Sequence, residues 1–135
     1  MYQKLVIIGR LGRDPEMRFT PTGQAVTNFS MATDRAYTKQ DGTKVKETTW
    51  FRIETWGKTA ENCNQYLKKG SIVLVEGRLK QDPETNLPRI YQAQDGTTKA
   101  ANFEVVAENV RFLSSRTEGA PETEAESAPA EDIPF

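Results

Sequence analysis

Two tryptophans on one segment are the first candidates for chemistry in this sequence. In the stretch TTWFRIETWG, Trp50, Arg52 and Trp56 share one numbering parity, whereas Phe51 and Ile53 share the other. A β-strand directs alternate side chains to opposite faces. If Phe51 and Ile53 face a core, the two indoles lie on the opposite face, where a flat aromatic ligand could reach them.

Nucleobases are one class of ligand that fits such a face. An indole stacks on any base, and each stack contributes about 1–3 kcal/mol with little dependence on sequence. Trp50 and Trp56 would lie roughly 20 Å apart along a strand, with Arg52 between them for a phosphate or a base. Tyr37 and Tyr91 lie in polar segments near basic residues and extend the set. The alternative is that these rings pack on a helix, a loop or another subunit.

The charge distribution separates the chain into two parts. Residues 117–135 carry six acids and no base, so the first 116 residues hold all 18 bases and 13 acids. A basic body with an acidic tail suggests a polyanionic partner for the body, although each base alone could be ordinary solvated surface. The candidate phosphate ligands are Lys4, Arg10, Arg18, Arg52, Lys58, Arg78 and Lys80.

Composition excludes several classes of enzyme. The chain has no histidine and one cysteine, Cys63, which excludes Ser-His-Asp and Cys-His catalysis, histidine-ligated metals and an intrachain disulfide. We predict no catalytic residue, metal or cofactor. The N-terminal apolar run from Leu5 to Ile8 is too short for a signal sequence or a membrane span, so we expect a cytoplasmic location.

Five segments read as strands, because they are rich in β-branched and aromatic residues and are separated by turn sequences. A helix is predicted in KTAENCNQYLKKGS, with Thr59 as N-cap, Lys68 and Lys69 in the last turn and Gly70 as the stop. This order predicts an all-β OB-fold, a five-stranded Greek-key barrel with one helix between strands 3 and 4. SH3-like barrels and other α+β sheets are the competing folds. The predicted strands are 4–11, 24–33, 48–56, 71–79 and 102–112.

The composition changes near residue 114. Residues 114–135 contain too few large apolar side chains to form a core, which predicts a disordered acidic tail after a folded domain at 1–113. The tail ends in DIPF, where Phe135 offers a ring and Pro134 stiffens the approach to it. Apolar residues at the end of an acidic tail suggest a docking peptide for a partner protein, or else a chance ending.

Several motifs together resemble the bacterial single-stranded DNA-binding proteins. They are VIIGRLGRDPEMRFTPTGQAVTNFSMAT, ETTWFRIETWGKTAENCNQYLKKGS, VEGRL and the terminal DIPF. The resemblance implies an OB-fold homotetramer that coats single-stranded DNA in replication, recombination and repair in the bacterial cytoplasm, in association with the nucleoid. It places base stacking at Tyr37, Trp50, Trp56 and Tyr91. It also implies that replication, recombination and repair proteins dock on Asp132, Ile133, Pro134 and Phe135.

Two other functions are open from the sequence. A magnesium-dependent nuclease could use Asp14, Glu16 or Glu54, because carboxylates hold magnesium without histidine. A primosome adaptor or an RNA-binding chaperone could share the barrel, although neither predicts the DIPF ending. The chain departs from the family that its motifs resemble in two places, because its run of acids before the tip is short and its loop at 81–90 is long.

Overall fold

The computed structural model describes residues 1–114, and the predicted acidic tail beyond Ser114, with its tip, lies outside them. Within this range the chain forms eight strands and one helix. In order they are β1 Leu5–Leu11, β2 Glu16–Phe19, β3 Ala25–Thr38, β4 Lys44–Trp56, α1 Gly57–Tyr66, β5 Ile72–Leu79, β6 Ile90–Gln92, β7 Thr98–Ala100 and β8 Phe103–Phe112.

Five of these strands close into a barrel. The sheet runs β1-β5-β8-β4-β3, and pairing of Arg10 with Ala32 and of Leu11 with Met31 joins β1 back to β3. Strands β4 and β8 are parallel, and the other barrel neighbours are antiparallel. Helix α1 lies between the third and fourth barrel strands, which confirms the predicted OB-fold. No helix in the part of the chain described has the length and hydropathy needed to cross a bilayer.

Strand alternation determines what the barrel encloses. Ile53 in β4 pairs with Phe29 in β3, and both side chains are buried in the core. The buried hydroxyls near them are satisfied, because Thr27 Oγ1 donates to the Ala60 carbonyl at 2.7 Å and Thr55 Oγ1 donates to the Thr27 carbonyl at 2.9 Å. The first bond attaches α1 to the barrel wall and the second joins β4 to β3, so neither buried hydroxyl is left unpaired.

The predicted N-cap of the helix is wrong. Helix α1 begins at Gly57, its N-cap residue is Trp56 in an extended conformation, and no side chain caps it. Gly57 has a φ of 65°, a conformation that glycine adopts at little cost. The chain therefore turns from β4 directly into the helix, and Thr59 lies inside its first turn.

The predicted C-terminal turn is also wrong. The helix ends at Tyr66, and Leu67 is extended, with its N–H donating to the Cys63 carbonyl at 3.0 Å. Leu67 is buried in the core, so the chain turns inward before Lys68 and Lys69. Gly70, with a φ of 92°, lies in the turn that leads to β5 rather than at the end of the helix.

The structure contains strands that the sequence did not predict. β2 pairs with the outer edge of β3, and β6 pairs with β7 as a separate hairpin. Strands β3 and β4 also continue past the barrel, pairing with each other as far as Thr38 and Lys44. This two-stranded extension, residues 34–38 and 44–48, is called the ribbon below.

Candidate nucleic-acid interface

One face of β4 points away from the barrel core and carries Trp50, Arg52, Glu54 and Trp56, which we call the β4 outer face. The alternation predicted from sequence is confirmed here, because Ile53 is fully buried whereas Trp50 is 46% exposed and Trp56 39% exposed. Indoles that keep this much surface in solvent on a barrel strand are available for stacking.

The indole of Trp50 packs against Gly12. A Cβ atom at Gly12 would lie 2.7 Å from Cζ3 of Trp50 and 2.8 Å from its Cη2, so the indole occupies the space that a side chain at position 12 would fill. Its ladder partner is the small Ala32. Trp50 therefore rests on backbone at the end of β1, and much of its ring stays exposed.

Trp56 is held by a buried carboxylate. Its Nε1–H donates to Oε1 of Glu54 at 3.0 Å, and Lys80 Nζ donates to Oε2 of Glu54 at 2.7 Å. Glu54 is only 8% exposed. Burial raises the pKa of Glu54, but the hydrogen bonds from Lys80 and Trp56 and the charge of Lys80 outweigh it, and the pKa lies below its ordinary value. Glu54 is thus ionised at neutral pH and fixes the orientation of the indole.

A groove of about 390 Å³ adjoins the β4 outer face. It brings together four of the side chains predicted from sequence, namely Arg18, Arg52, Lys80 and Tyr91. Tyr91 comes from β6 and is exposed. The groove is lined by Arg18, Asn28, Arg52, Glu54, Lys80, Arg89, Tyr91, Ala101, Asn102 and Glu104.

The charges of the groove are only partly balanced. Glu54 pairs with Lys80, and Glu104 accepts from Arg89 Nη2 at 3.1 Å. Within residues 1–114, neither Arg18 nor Arg52 lies within ion-pair distance of a carboxylate. Two guanidinium groups therefore remain for an anionic ligand, and guanidinium is well suited to phosphate.

The other predicted bases lie away from the groove. Lys4 Nζ is 3.1 Å from Oε1 of Glu108, whose hydrogen bond and charge raise the pKa of Lys4. Arg10 donates to a backbone carbonyl at 2.9 Å. Lys58 is an exposed residue of α1, and Arg78 is exposed on β5. The structure does not bring these four side chains together with Arg18 and Arg52.

Tyr37 belongs to a different surface from the two tryptophans. It pairs with Val45 on the ribbon, and both residues have the parity of Phe51 rather than that of Trp50. Tyr37 is partly exposed, and Arg35 Cζ lies 4.6 Å from the centroid of its ring. By strand alternation, Tyr37 lies on the ribbon face opposite to the β4 outer face.

The sequence interpretation missed Asn28, Arg89 and Glu104 as groove residues. Asn28 had a signal, because it is a polar residue within the apolar strand AVTNFSM and faces outward beside Glu54. No signal in the sequence pointed to Arg89 or Glu104, because their positions depend on how the segment after β5 folds back over the barrel.

The acids considered for a magnesium site are not assembled into one. Asp14 Oδ1 accepts the backbone N–H of Lys69 at 2.8 Å, and Glu54 is engaged by Lys80 and Trp56. In residues 1–114, no three potential metal-ligating side chains come together. Asp14 therefore joins the segment after β1 to the turn before β5.

A closed five-stranded barrel with one helix between its third and fourth strands is an OB-fold, and in this chain exposed indoles on one strand lie beside a positively charged groove. Residues 2–113 match the model of the Single-strand binding protein family. The chain belongs to that family, as its motifs had indicated.

Named relatives agree with this assignment. The chain is 43% identical to the single-stranded DNA-binding protein of Neisseria meningitidis serogroup A over 121 residues, which cover 87% of this chain and 65% of that relative. It is 40% identical to the protein of the same name from Bacillus cereus over 119 residues, which cover 88% of this chain and 64% of the relative. The chain therefore spans a little under two thirds of their length.

Two solved structures share the fold. A deletion mutant of the single-stranded DNA binding protein from Thermus aquaticus matches with a TM-score of 0.63 and 29% identity, covering 84% of this chain and 51% of that one. A Plasmodium falciparum SSB in complex with ssDNA matches with a TM-score of 0.70 and 24% identity, covering 84% of this chain and 97% of that one.

Proposed function

We propose that this protein is a non-catalytic, sequence-independent binder of single-stranded DNA. The observation that carries the proposal is the β4 outer face, where exposed Trp50 and Trp56 flank Arg52 beside a groove with excess positive charge. The names of the relatives from Neisseria meningitidis and Bacillus cereus support it. In cells, we infer that the protein coats exposed strands on the bacterial nucleoid during replication, recombination and repair.

The binding mechanism combines stacking with charge neutralisation. Bases stack on Trp50 and Trp56, and Tyr91 offers a third ring across the groove. Arg18 and Arg52 take the phosphates, because their guanidinium groups are not neutralised by a carboxylate within residues 1–114. The Glu54 bond to Trp56 holds that indole in place before DNA arrives, which lowers the entropy cost of binding.

We also propose that the protein assembles as a homotetramer. The sheet made by β1 and β5 has an apolar outer surface, in which Val6 and Ile8 are exposed and Ile8 pairs with Leu74. Burying such a surface against a second copy would stabilise an oligomer. Several linked weak sites then give tight overall binding. Sedimentation with and without an oligothymidylate measures both subunit number and DNA stoichiometry, and a monomer in both would contradict this part.

The acidic tail has a separate proposed role. Its tip, Asp132 to Phe135, lies outside the residues that the structure describes, and we propose it as the docking site for replication, recombination and repair proteins. Deleting Phe135 should abolish capture of such partners and leave DNA binding intact. Loss of both activities would show that the tip and the barrel are not independent.

Tryptophan fluorescence tests the central proposal. Oligothymidylate should quench the intrinsic emission, and Trp56→Ala should reduce both the quenching and the affinity. Affinity should fall with salt with a log–log slope of about −0.7 per phosphate neutralised. Unchanged affinity in Trp56→Ala would exclude stacking at this residue, and equal competition by poly(U) and poly(dT) would favour an RNA-binding chaperone.

A further inference from the structure

We propose that Asn28 contacts the hydrogen-bonding edge of a nucleobase held in the groove, an inference that rests on the proposed binding of single-stranded DNA. Asn28 is only 8% exposed, and within residues 1–114 its side chain has no hydrogen-bond partner. A buried carboxamide without partners is costly, about 1–3 kcal/mol for each unsatisfied group. Its position in the groove wall makes a bound ligand the natural partner.

The neighbouring groups do not occupy this amide. Asn28 pairs with Glu54 on β4 and with Glu16 on β2. Both oxygens of Glu54 are already engaged, one by Trp56 and the other by Lys80, and within residues 1–114 no hydrogen bond joins Glu16 to Asn28. Glu104 is engaged by Arg89. Among the side chains that line the groove, those of Asn28, Asn102, Tyr91, Arg18 and Arg52 have no hydrogen-bond partner within residues 1–114. Asn28 is the one of these that is buried.

A carboxamide and a guanidinium select different parts of a nucleotide. Guanidinium groups donate only, which suits phosphate oxygens. Asn28 presents a donor and an acceptor side by side, and phosphate diesters have no donor to offer its oxygen. A nucleobase edge presents both a donor and an acceptor. The groove thus contains complementary groups for both ends of one nucleotide.

The ladder register places Asn28 between the two arginines. On the outer side of the sheet, Arg18 pairs with Val26, Asn28 pairs with Glu54 and Arg52 pairs with Ser30, in that order along β3. Asn28 and Arg52 also line a smaller recess of about 50 Å³ beside the groove. Asp14 and Glu16 also line this recess, so phosphates are expected in the groove and not in the recess. A strand that follows β3 along the groove has an arginine on either side of Asn28.

Base methylation gives a direct test. The full-length protein is titrated with an oligothymidylate of roughly ten nucleotides and with the same oligonucleotide made uniformly from N3-methylthymidine. The methyl group blocks the donor at the base edge and preserves the ring face for stacking. Wild-type protein should bind the methylated strand about threefold to tenfold more weakly, as expected for one lost hydrogen bond with its buried partner.

Two variants and a control identify the residue responsible. Asn28→Ala and Asn28→Leu should bind unmodified strand more weakly and lose the discrimination between the two strands, while thermal unfolding confirms that they fold. Asn64→Ala, on the exposed surface of α1, should keep both affinity and discrimination.

The outcomes separate this inference from the proposed function. Equal binding of both strands by wild type, or discrimination that survives in a folded Asn28 variant, would overturn the base-edge contact alone. Failure to bind either strand would overturn the proposed function itself.

Discussion

The indole of Trp50 lies so close to Gly12 that a side chain at position 12 would fit only if the ring moved. Gly12→Ala should displace the ring from the β4 outer face, because the new methyl group would lie within 3 Å of two indole atoms. Trp50 is exposed and can swing into solvent, so unfolding free energy should change by less than about 1 kcal/mol. The affinity for oligothymidylate should fall by about the value of one stack, 1–3 kcal/mol.

Fluorescence titration and urea unfolding of the same variant measure these two quantities. Trp50→Ala is the matched comparison, since it removes the ring that Gly12→Ala displaces. If Gly12→Ala bound DNA as wild type does while Trp50→Ala did not, the contact with Gly12 would not be what positions the ring.

The bonds of Glu54 with Lys80 and Trp56 should make a contribution to the free energy of unfolding that depends on pH. The pKa of Glu54 is lowered in the folded protein below 4.5, its ordinary value, so the stabilisation is present above about pH 4.5 and is lost as the pH falls through the folded-state pKa. Glu54→Gln should therefore destabilise the protein at pH 7 by about 1–3 kcal/mol. The difference from wild type should narrow in more acidic solution.

Urea unfolding of both proteins between neutral and acidic pH measures this difference. Glu47→Gln is a suitable control, because Glu47 pairs with Arg35 on the exposed ribbon and surface pairs contribute little. A difference between wild type and Glu54→Gln that grew on acidification would contradict the assigned direction of the pKa shift.

An alanine at position 77 should lower the free energy of unfolding much more than an alanine at position 12. A Cβ atom at Gly77 would collide with the backbone carbonyl of Val106 across the β5–β8 pair. Backbone in a closed barrel cannot move aside without disturbing the ladder, so Gly77→Ala should destabilise the protein by about 3 kcal/mol. Urea unfolding of Gly77→Ala beside Gly12→Ala provides the comparison, and equal stabilities would show that the barrel tolerates the shift.

The thiol of Cys63 should be unreactive toward alkylating reagents in the folded protein. Burial raises its pKa to about 11, which outweighs the hydrogen bond with Thr55 that lowers it, and the thiol is enclosed in the core. Only the thiolate reacts with alkylating reagents. Iodoacetamide at pH 8 should therefore modify Cys63 only as the protein unfolds, at a rate that increases with urea. Rapid modification with unchanged circular dichroism would contradict the described core.

The sequence predicted those features that depend on local pattern. The alternation around Trp50 and Ile53 identified both faces of β4, because a strand with one face in a core repeats every two residues. The barrel strands were found from composition, because segments rich in β-branched and aromatic residues lie between turn sequences. The beginning of the helix was missed, since the positive φ of Gly57 lets a helix start without the side-chain cap for which Thr59 was chosen.

Features that depend on long-range pairing were not predictable. Strands β2, β6 and β7 are short and largely exposed, and their strand conformation comes from pairing with a neighbour rather than from composition. The groove requires the parallel pairing of β4 with β8, in which Arg52 pairs with Glu104. No local signal relates residues so far apart in the chain. Tyr91 was therefore predicted as a stacking residue, but the residues that surround it in the groove were not predicted.

The ribbon has a consequence for how the protein can vary. The ladder of β3 and β4, which continues into the ribbon, runs from Val26 paired with Trp56 to Thr38 paired with Lys44 without a bulge. Adding one residue to each strand would turn every side chain nearer the tip to the other face of the ribbon. Tyr37 would then lie on the same side as the β4 outer face. The ribbon can therefore keep its two faces only if it lengthens or shortens by two rungs at a time. This rule applies both to design and to the comparison of natural variants.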